Sequence, residues 1–152
     1  MTLPDQSSAM YETVLVPTDG SARSRAVARR AIDLAATYGA TIQALSVIDA
    51  SDLGLWTSAD VPVDRVQASL RDAAEMAVEE IDILAAESDV PCETTIRIGV
   101  PHREILDAVE EGGADIVVMA THGRTGLEHA LLGSTTERVV RLADVPVLTV
   151  RE

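Results

Sequence analysis

Five short apolar runs rich in β-branched residues alternate along this chain with stretches of helical periodicity, and that alternation leaves few folds open. Residues 13–18 (Thr-Val-Leu-Val-Pro-Thr) read as a buried strand. A helix over 21–38 follows, with Val27, Ala31, Leu34, Ala35 and Tyr38 at helical spacing, cap chemistry at Asp19 to Ser21 and Gly39 as its stop. Residues 41–48 form a second strand. A long helix over 64–88 carries Leu70, Ala73 or Ala74, Ala77, Ile81 and Leu84 opposite an acidic face. A third strand spans 91–98, and the next helix opens with Pro101 in its first turn and stops at Gly112-Gly113. A fourth strand over 115–120, a helix over 134–142 and a fifth strand over 145–150 complete the series. Residues 49–63, with Gly54, Trp56 and Pro62, read as irregular and longer than an ordinary connection, hence as a lid or a partner surface.

Strands that alternate with helices predict an α/β fold: a doubly wound, five-stranded parallel sheet with helices on both faces, Rossmann-like. With the strand order 3-2-1-4-5, the ligand crevice lies beyond the carboxyl ends of strands one and four. Its walls are then Pro17-Thr18-Asp19-Gly20 and the segment that opens at Ala120. The length of 152 residues suits one domain, expected over 11–152. Residues 1–10 are expected to be a disordered lead, lacking the basic region and apolar core of a signal peptide.

The core has to be built from Val, Ile, Leu and Ala, because only 2% of the residues are aromatic and Phe is absent. No apolar run approaches the roughly 20 residues that span a bilayer, so a cytoplasmic location is expected. There are 25 acidic residues against 12 basic ones, every basic residue is Arg, and the net charge is −13. That balance argues against general nucleic-acid binding, which draws on clustered positive charge. It also implies self-repulsion that salt relieves. An acid-rich chain without Lys or Phe resembles the proteins of extreme halophiles. Cys92, the single cysteine, has no internal disulfide partner and reads as a small residue at a strand start.

Residues 119–137 carry the main functional signal. Gly123, Gly126 and Gly133, a basic Arg124 and several hydroxyl residues lie between an apolar strand and a helix start. Glycines let backbone N–H groups wrap an anion, and a helix N-terminus adds free donors, so the stretch reads as a phosphate loop. Nine residues separate Gly123 from Gly133, which Ser134 follows. This spacing resembles the universal stress protein family, whose nucleotide-binding members carry Gly-x-x-Gly, nine residues, then Gly-Ser or Gly-Thr. Val-Pro-Thr-Asp-Gly-Ser at 16–21, Val-Ile-Asp at 47–49, Gly-x-Pro at 99–101 and the terminal Val-Pro-Val-Leu-Thr-Val resemble family segments too. The resemblance runs from Tyr11 to the end of the chain.

The resemblance implies an ATP-binding regulatory or stress-response protein with little or no turnover. Pro17, Thr18 and Asp19 would border the adenine or ribose, and Val47 would pack on the base. Ala120, Thr121, His122, Gly123, Arg124, Thr125 and Gly126 would wrap the ribose and phosphates. Gly133, Ser134, Thr135 and Thr136 would bring backbone and hydroxyl donors to the phosphates, with Mg²⁺ held by phosphates and a carboxylate such as Asp19. Ala120 departs from the family, standing where its first glycine falls. A strand-like backbone there accommodates Ala at little cost, whereas a positive φ would distort the site. The resemblance also implies a homodimer paired through the terminal strand. Val145, Val147, Leu148 and Val150 present the unpaired edge that such pairing uses.

Several of these residues have simpler explanations. Ser134 followed three residues later by Glu137 has the pattern of a capping box, sufficient without a ligand. Asp19 before Gly20-Ser21 fits a turn, and Arg124 fits a solvated or acid-paired side chain. His102, His122 and His129 lack metal-site spacing and read as loop or surface residues. No nucleophile elbow, Cys–His pair or Walker Lys is present. Two alternatives therefore stand beside ATP binding: a stress protein acting through protein contacts alone, and a nucleotide-using transferase or ligase of related fold.

Overall fold

The computed structural model describes residues 10–55, 63–122 and 132–151. Five parallel strands form one sheet: β1 (Thr13–Pro17), β2 (Thr41–Asp49), β3 (Cys92–Gly99), β4 (Ile116–Ala120) and β5 (Val147–Val150), in the order β3-β2-β1-β4-β5. This is the expected doubly wound order. The central strand β1 pairs with β2 from Thr13↔Thr41 to Pro17↔Leu45 and with β4 at Val14↔Ile116 and Leu15↔Val117.

Strand periodicity sends alternate side chains to opposite faces, and each face meets two helices. On one side Val14, Val16, Ile42, Ala44, Ile116 and Val118 pack against α1 (Ala22–Tyr38) and α3 (Val63–Glu87), through Val27, Ala31, Ala35, Val78, Ile81 and Ala85. On the other, Leu15, Leu45, Val117 and Met119 pack against α4 (Pro101–Gly112) and α5 (Ser134–Leu142), through Ile105, Ala108, Val109 and Val139. Between the two candidates in α3, Ala74 is buried and Ala73 exposed. No helix among the described residues is long and apolar enough to cross a membrane.

The helix ends follow local chemistry. Ser21 caps α1 by accepting from the Ser24 N–H at 3.2 Å. Gly39 closes it at φ +67°, a left-handed conformation that a side chain resists, and Gly113 closes α4 in the same way. At the opposite end of the sheet from the crevice, Asp115 Oδ2 accepts from the backbone N–H of Glu12 at 2.7 Å and of Thr13 at 3.0 Å. Asp115 thus ties the start of β1 to the approach to β4, and β4 begins one residue later than the sequence pattern suggests.

Two further boundaries differ from expectation by more than one residue. Residues 49–63 are not wholly irregular: Ala50–Leu55 forms a short helix, α2. Its start is set by Asp49, whose Oδ1 accepts from the Ser51 N–H at 3.0 Å and the Ser51 hydroxyl at 2.8 Å. Trp56 and Pro62 lie outside the described residues. The last strand begins at Val147, so Val145 belongs to the bend before it. Pro146 has no N–H to give the ladder, and its carbonyl accepts from the Val117 N–H at 3.0 Å.

Candidate functional site

Because the strands are parallel, β1, β2 and β4 all deliver their carboxyl ends to the same rim of the sheet. Three short segments meet there: Thr18 to Ser21 after β1, Thr121-His122 after β4, and the start of α5.

The first segment is a tight hydrogen-bonded turn. Thr18 is buried, and its N–H donates to the Leu45 carbonyl at 2.8 Å, which holds the turn against β2. The Thr18 hydroxyl accepts from the Gly20 N–H at 3.1 Å. Gly20 stands at φ +79°, where a Cβ would strain the chain. Asp19 Oδ1 accepts from the Ser21 N–H at 2.9 Å and the Ser24 hydroxyl at 2.8 Å. The turn explanation of Asp19 is therefore realised: its carboxylate organises the start of α1. The same contacts fix the carboxylate at the rim.

The second and third segments are fastened to each other. Ala120 ends β4, paired with Val150, and the only non-glycine residue with positive φ among the described residues is Asp89. The backbone at Ala120 is thus strand-like, the condition under which alanine replaces glycine at little cost. The Ala120 carbonyl accepts from the buried Thr136 hydroxyl at 2.9 Å. The Gly133 N–H donates to the Thr121 carbonyl at 2.7 Å, and the Thr121 N–H donates to the Val150 carbonyl at 3.2 Å. His122 Nδ1 lies 3.1 Å from Thr121 Oγ1.

The helix start corrects two sequence readings. The N-cap of α5 is Gly133, at φ −66° and ψ 159°, and no side chain caps it. Ser134 is the first helical residue, so the capping box does not form, and the Ser134 side chain is exposed. Thr136 also differs from its implied role, since its hydroxyl proton is given to Ala120. The donors left at this helix start are the backbone N–H groups of Ser134, Thr135 and Thr136, which have no partner within the helix, and the Ser134 and Thr135 hydroxyls. They form a compact set for an anion beside the end of β4.

Val47 stands two residues before the end of β2, opposite Arg97, and packs partly buried against the cluster beneath α4 and α5. Pro17 ends β1, half-buried. Gly123, Arg124, Thr125, Gly126 and His129 lie outside the described residues. Among the described residues, no three His, Cys, Asp or Glu side chains gather as a metal site. A separate groove of about 240 Å³ opens on the α4 side of β2 and β3, bordered by Gln43, Thr95, Arg97 and Glu111. It includes none of the rim residues.

At the terminal edge, Leu148 is exposed, Val147 is half-buried and Val150 is buried in this chain's own core. Leu148, paired with Val118, lies on the α1 and α3 side of the sheet, whereas the exposed Val140 and Leu142 belong to α5 on the other side. Those two helical residues were not expected from the sequence. Their positions outside the buried Thr136 and Val139 stripe are the signal that identifies them.

The sequence profile of the universal stress protein family matches residues 10–151. Universal stress protein MJ0531 of Methanocaldococcus jannaschii is 37% identical over 144 residues, covering 94% of this chain and 84% of that protein. Universal stress protein MJ0577 of the same organism is 29% identical over 157 residues, covering 95% of this chain and 97% of that protein. The solved structure of MJ0577 superposes with a TM-score of 0.79 at 28% identity, covering 94% of this chain and 97% of that one. The universal stress protein from Archaeoglobus fulgidus in complex with dAMP shares the fold, with a TM-score of 0.69 at 18% identity, covering 92% of this chain and 98% of that one.

Proposed function

The chain is a member of the universal stress protein family, and from that premise we propose that it binds ATP at the rim where β1, β4 and α5 meet. The observation that carries the proposal is the join between strand and helix. Gly133 donates to Thr121 and Thr136 donates to Ala120, so the free N–H groups of α5 sit against the end of β4. Freed from capping, the exposed Ser134 hydroxyl adds one more donor to that set.

In this reading Ser134, Thr135 and the backbone N–H of Thr136 hold phosphate oxygens, and Val47 with the Pro17-Thr18 turn borders the base and ribose. Arg124, within the loop, supplies charge to the phosphates. Mg²⁺ fits as a companion of the triphosphate. Asp19 is fixed by Ser21 and Ser24 at the same rim, and Mg²⁺ is commonly held by one or two carboxylates plus phosphates. An A. fulgidus protein of this fold holds dAMP, which supports the fold as a frame for an adenine nucleotide. The transfer to this chain rests on its own rim residues.

The proposed role is regulatory, with slow turnover at most, because the sequence offers neither a Walker Lys nor an identifiable base for hydrolysis. We also propose a cytoplasmic homodimer formed through β5, in a protein adapted to high salt. The edge position of β5 and the exposed Leu148 on it support the dimer. The charge of −13 supports the salt adaptation. Protein contacts alone remain the second reading, favoured by that same apolar edge.

The site assignment is tested by titrating Arg124→Ala and Gly133→Val with Mg-ATP in molar KCl. Each variant should bind more weakly than the parent chain. Unaltered affinity in both would remove the phosphates from this loop.

A further inference from the structure

Two arginines and a histidine gather where α4 and α5 begin. Both helices follow parallel strands, so both N-termini stand at the rim that carries the crevice. Arg138 lies four residues after Ser134 on α5, and both residues are exposed. Residues at that spacing share one helical face. Helical side chains in general lean toward the N-terminus, so a long side chain at position 138 has the reach to meet a group at the first turn. His102 and Arg103 occupy the first turn of α4, which packs beside α5.

Among the described residues neither Arg103 nor Arg138 makes an ion pair. Of the neighbouring acids, Glu104 pairs with Arg97 at 3.6 Å and Glu137 with Arg141, while Asp107, four residues after Arg103, makes no ion pair among the described residues. Desolvation, followed by repulsion from Arg138 and Arg103, holds the His102 imidazole below its ordinary range. In a chain of net charge −13, a corner whose two arginines make no ion pair among the described residues runs against the prevailing charge. Such a corner beside free helix N–H groups attracts an anion.

We propose that Arg138, flanked by His102 and Arg103, reads the terminal phosphoryl groups of the bound nucleotide, so that the site prefers a nucleoside triphosphate to the monophosphate. The proposal rests on the nucleotide reading above and adds the specificity-determining residue. A guanidinium matches two phosphate oxygens at once. A monophosphate, held by the first-turn N–H groups, leaves Arg138 without that contact.

The test is calorimetric affinity for Mg-ATP and for AMP in the parent chain, Arg138→Gln and Arg138→Glu. Arg138 is exposed, so both variants should fold, which thermal melting verifies. The expected result is about a tenfold loss of ATP affinity in Arg138→Gln, the scale of one charge-assisted contact, with AMP changed less than about twofold. Arg138→Glu should lower the ATP-to-AMP ratio further. An equal ratio in all three proteins would overturn the proposal, as would a parent chain that binds AMP as tightly as ATP. A parent chain that binds neither nucleotide would overturn the nucleotide reading itself, and that outcome is visible before any variant is made.

Discussion

Thr136 donates its hydroxyl to the Ala120 carbonyl at 2.9 Å, fastening the helix that follows the loop to the strand that precedes it. The bond spans a stretch that includes Gly123 to Gly126, so the two ends of the loop are fixed whatever the loop holds. Thr136→Val keeps the shape but leaves the carbonyl without its donor. Stability should fall by about 1–3 kcal/mol in urea unfolding, and Thr136→Ser should recover much of it. A valine variant as stable as the parent would show that this bond does not anchor α5.

Asp19 combines a structural contact with a proposed ligand role, and two substitutions separate them. Asp19→Asn retains an oxygen for the Ser21 N–H and the Ser24 hydroxyl, so stability should stay within about 1 kcal/mol. Asp19→Ala loses both bonds and should cost about 1–2 kcal/mol. If the carboxylate helps hold Mg²⁺, the asparagine variant should lose the Mg²⁺ enhancement of ATP binding while staying folded. Full enhancement in Asp19→Asn would confine Asp19 to the turn.

Cys92 should be a sluggish thiol. Burial, followed by the charge of Asp82, pushes its pKa from 9.0 up to about 11. At pH 8 the thiolate population is then roughly a hundredfold below that of an unperturbed thiol, and alkylation should slow in proportion. The folded state keeps the proton that the unfolded state releases between the two pKa values. Stability should therefore fall as pH rises from about 9 to 11. Cys92→Ala should remove that part of the alkaline loss; an unchanged profile would contradict the shift.

The proposed dimer is tested at Leu148, 44% exposed on the edge strand. Leu148→Arg should convert a two-chain species into single chains in light scattering at molar KCl, with little change in monomer folding. A parent chain that is monomeric under those conditions contradicts edge pairing, as does a variant that stays dimeric.

Much of the fold was legible because its signals are local and repeated. Val14 and Val16 alternate with Leu15 so that both faces of the central strand are apolar, and Gly39 and Gly113 stand where helices must stop. The short α2 was not legible. Six residues are too few to show periodicity, and the Asp49 carboxylate that starts it has the same sequence signature as a loop aspartate. At the site, the meeting of the β1 turn with the end of β4 followed from strand order alone. The state of individual hydroxyls did not. Ser134 fits a capping box in sequence, yet the extended Gly133 takes the cap position and leaves Ser134 helical. Thr136 looks like one more phosphate donor, but its partner carbonyl lies sixteen residues earlier, a pairing only the folded chain reveals. Ala120 shows the reverse, since its strand-like backbone removes the cost its sequence position suggested.

Calorimetric titration of the purified chain with Mg-ATP in molar KCl tests the central claim most directly. The structure of the rim predicts saturable heat with one nucleotide per chain. No heat, together with no nucleotide carried through purification, would contradict it.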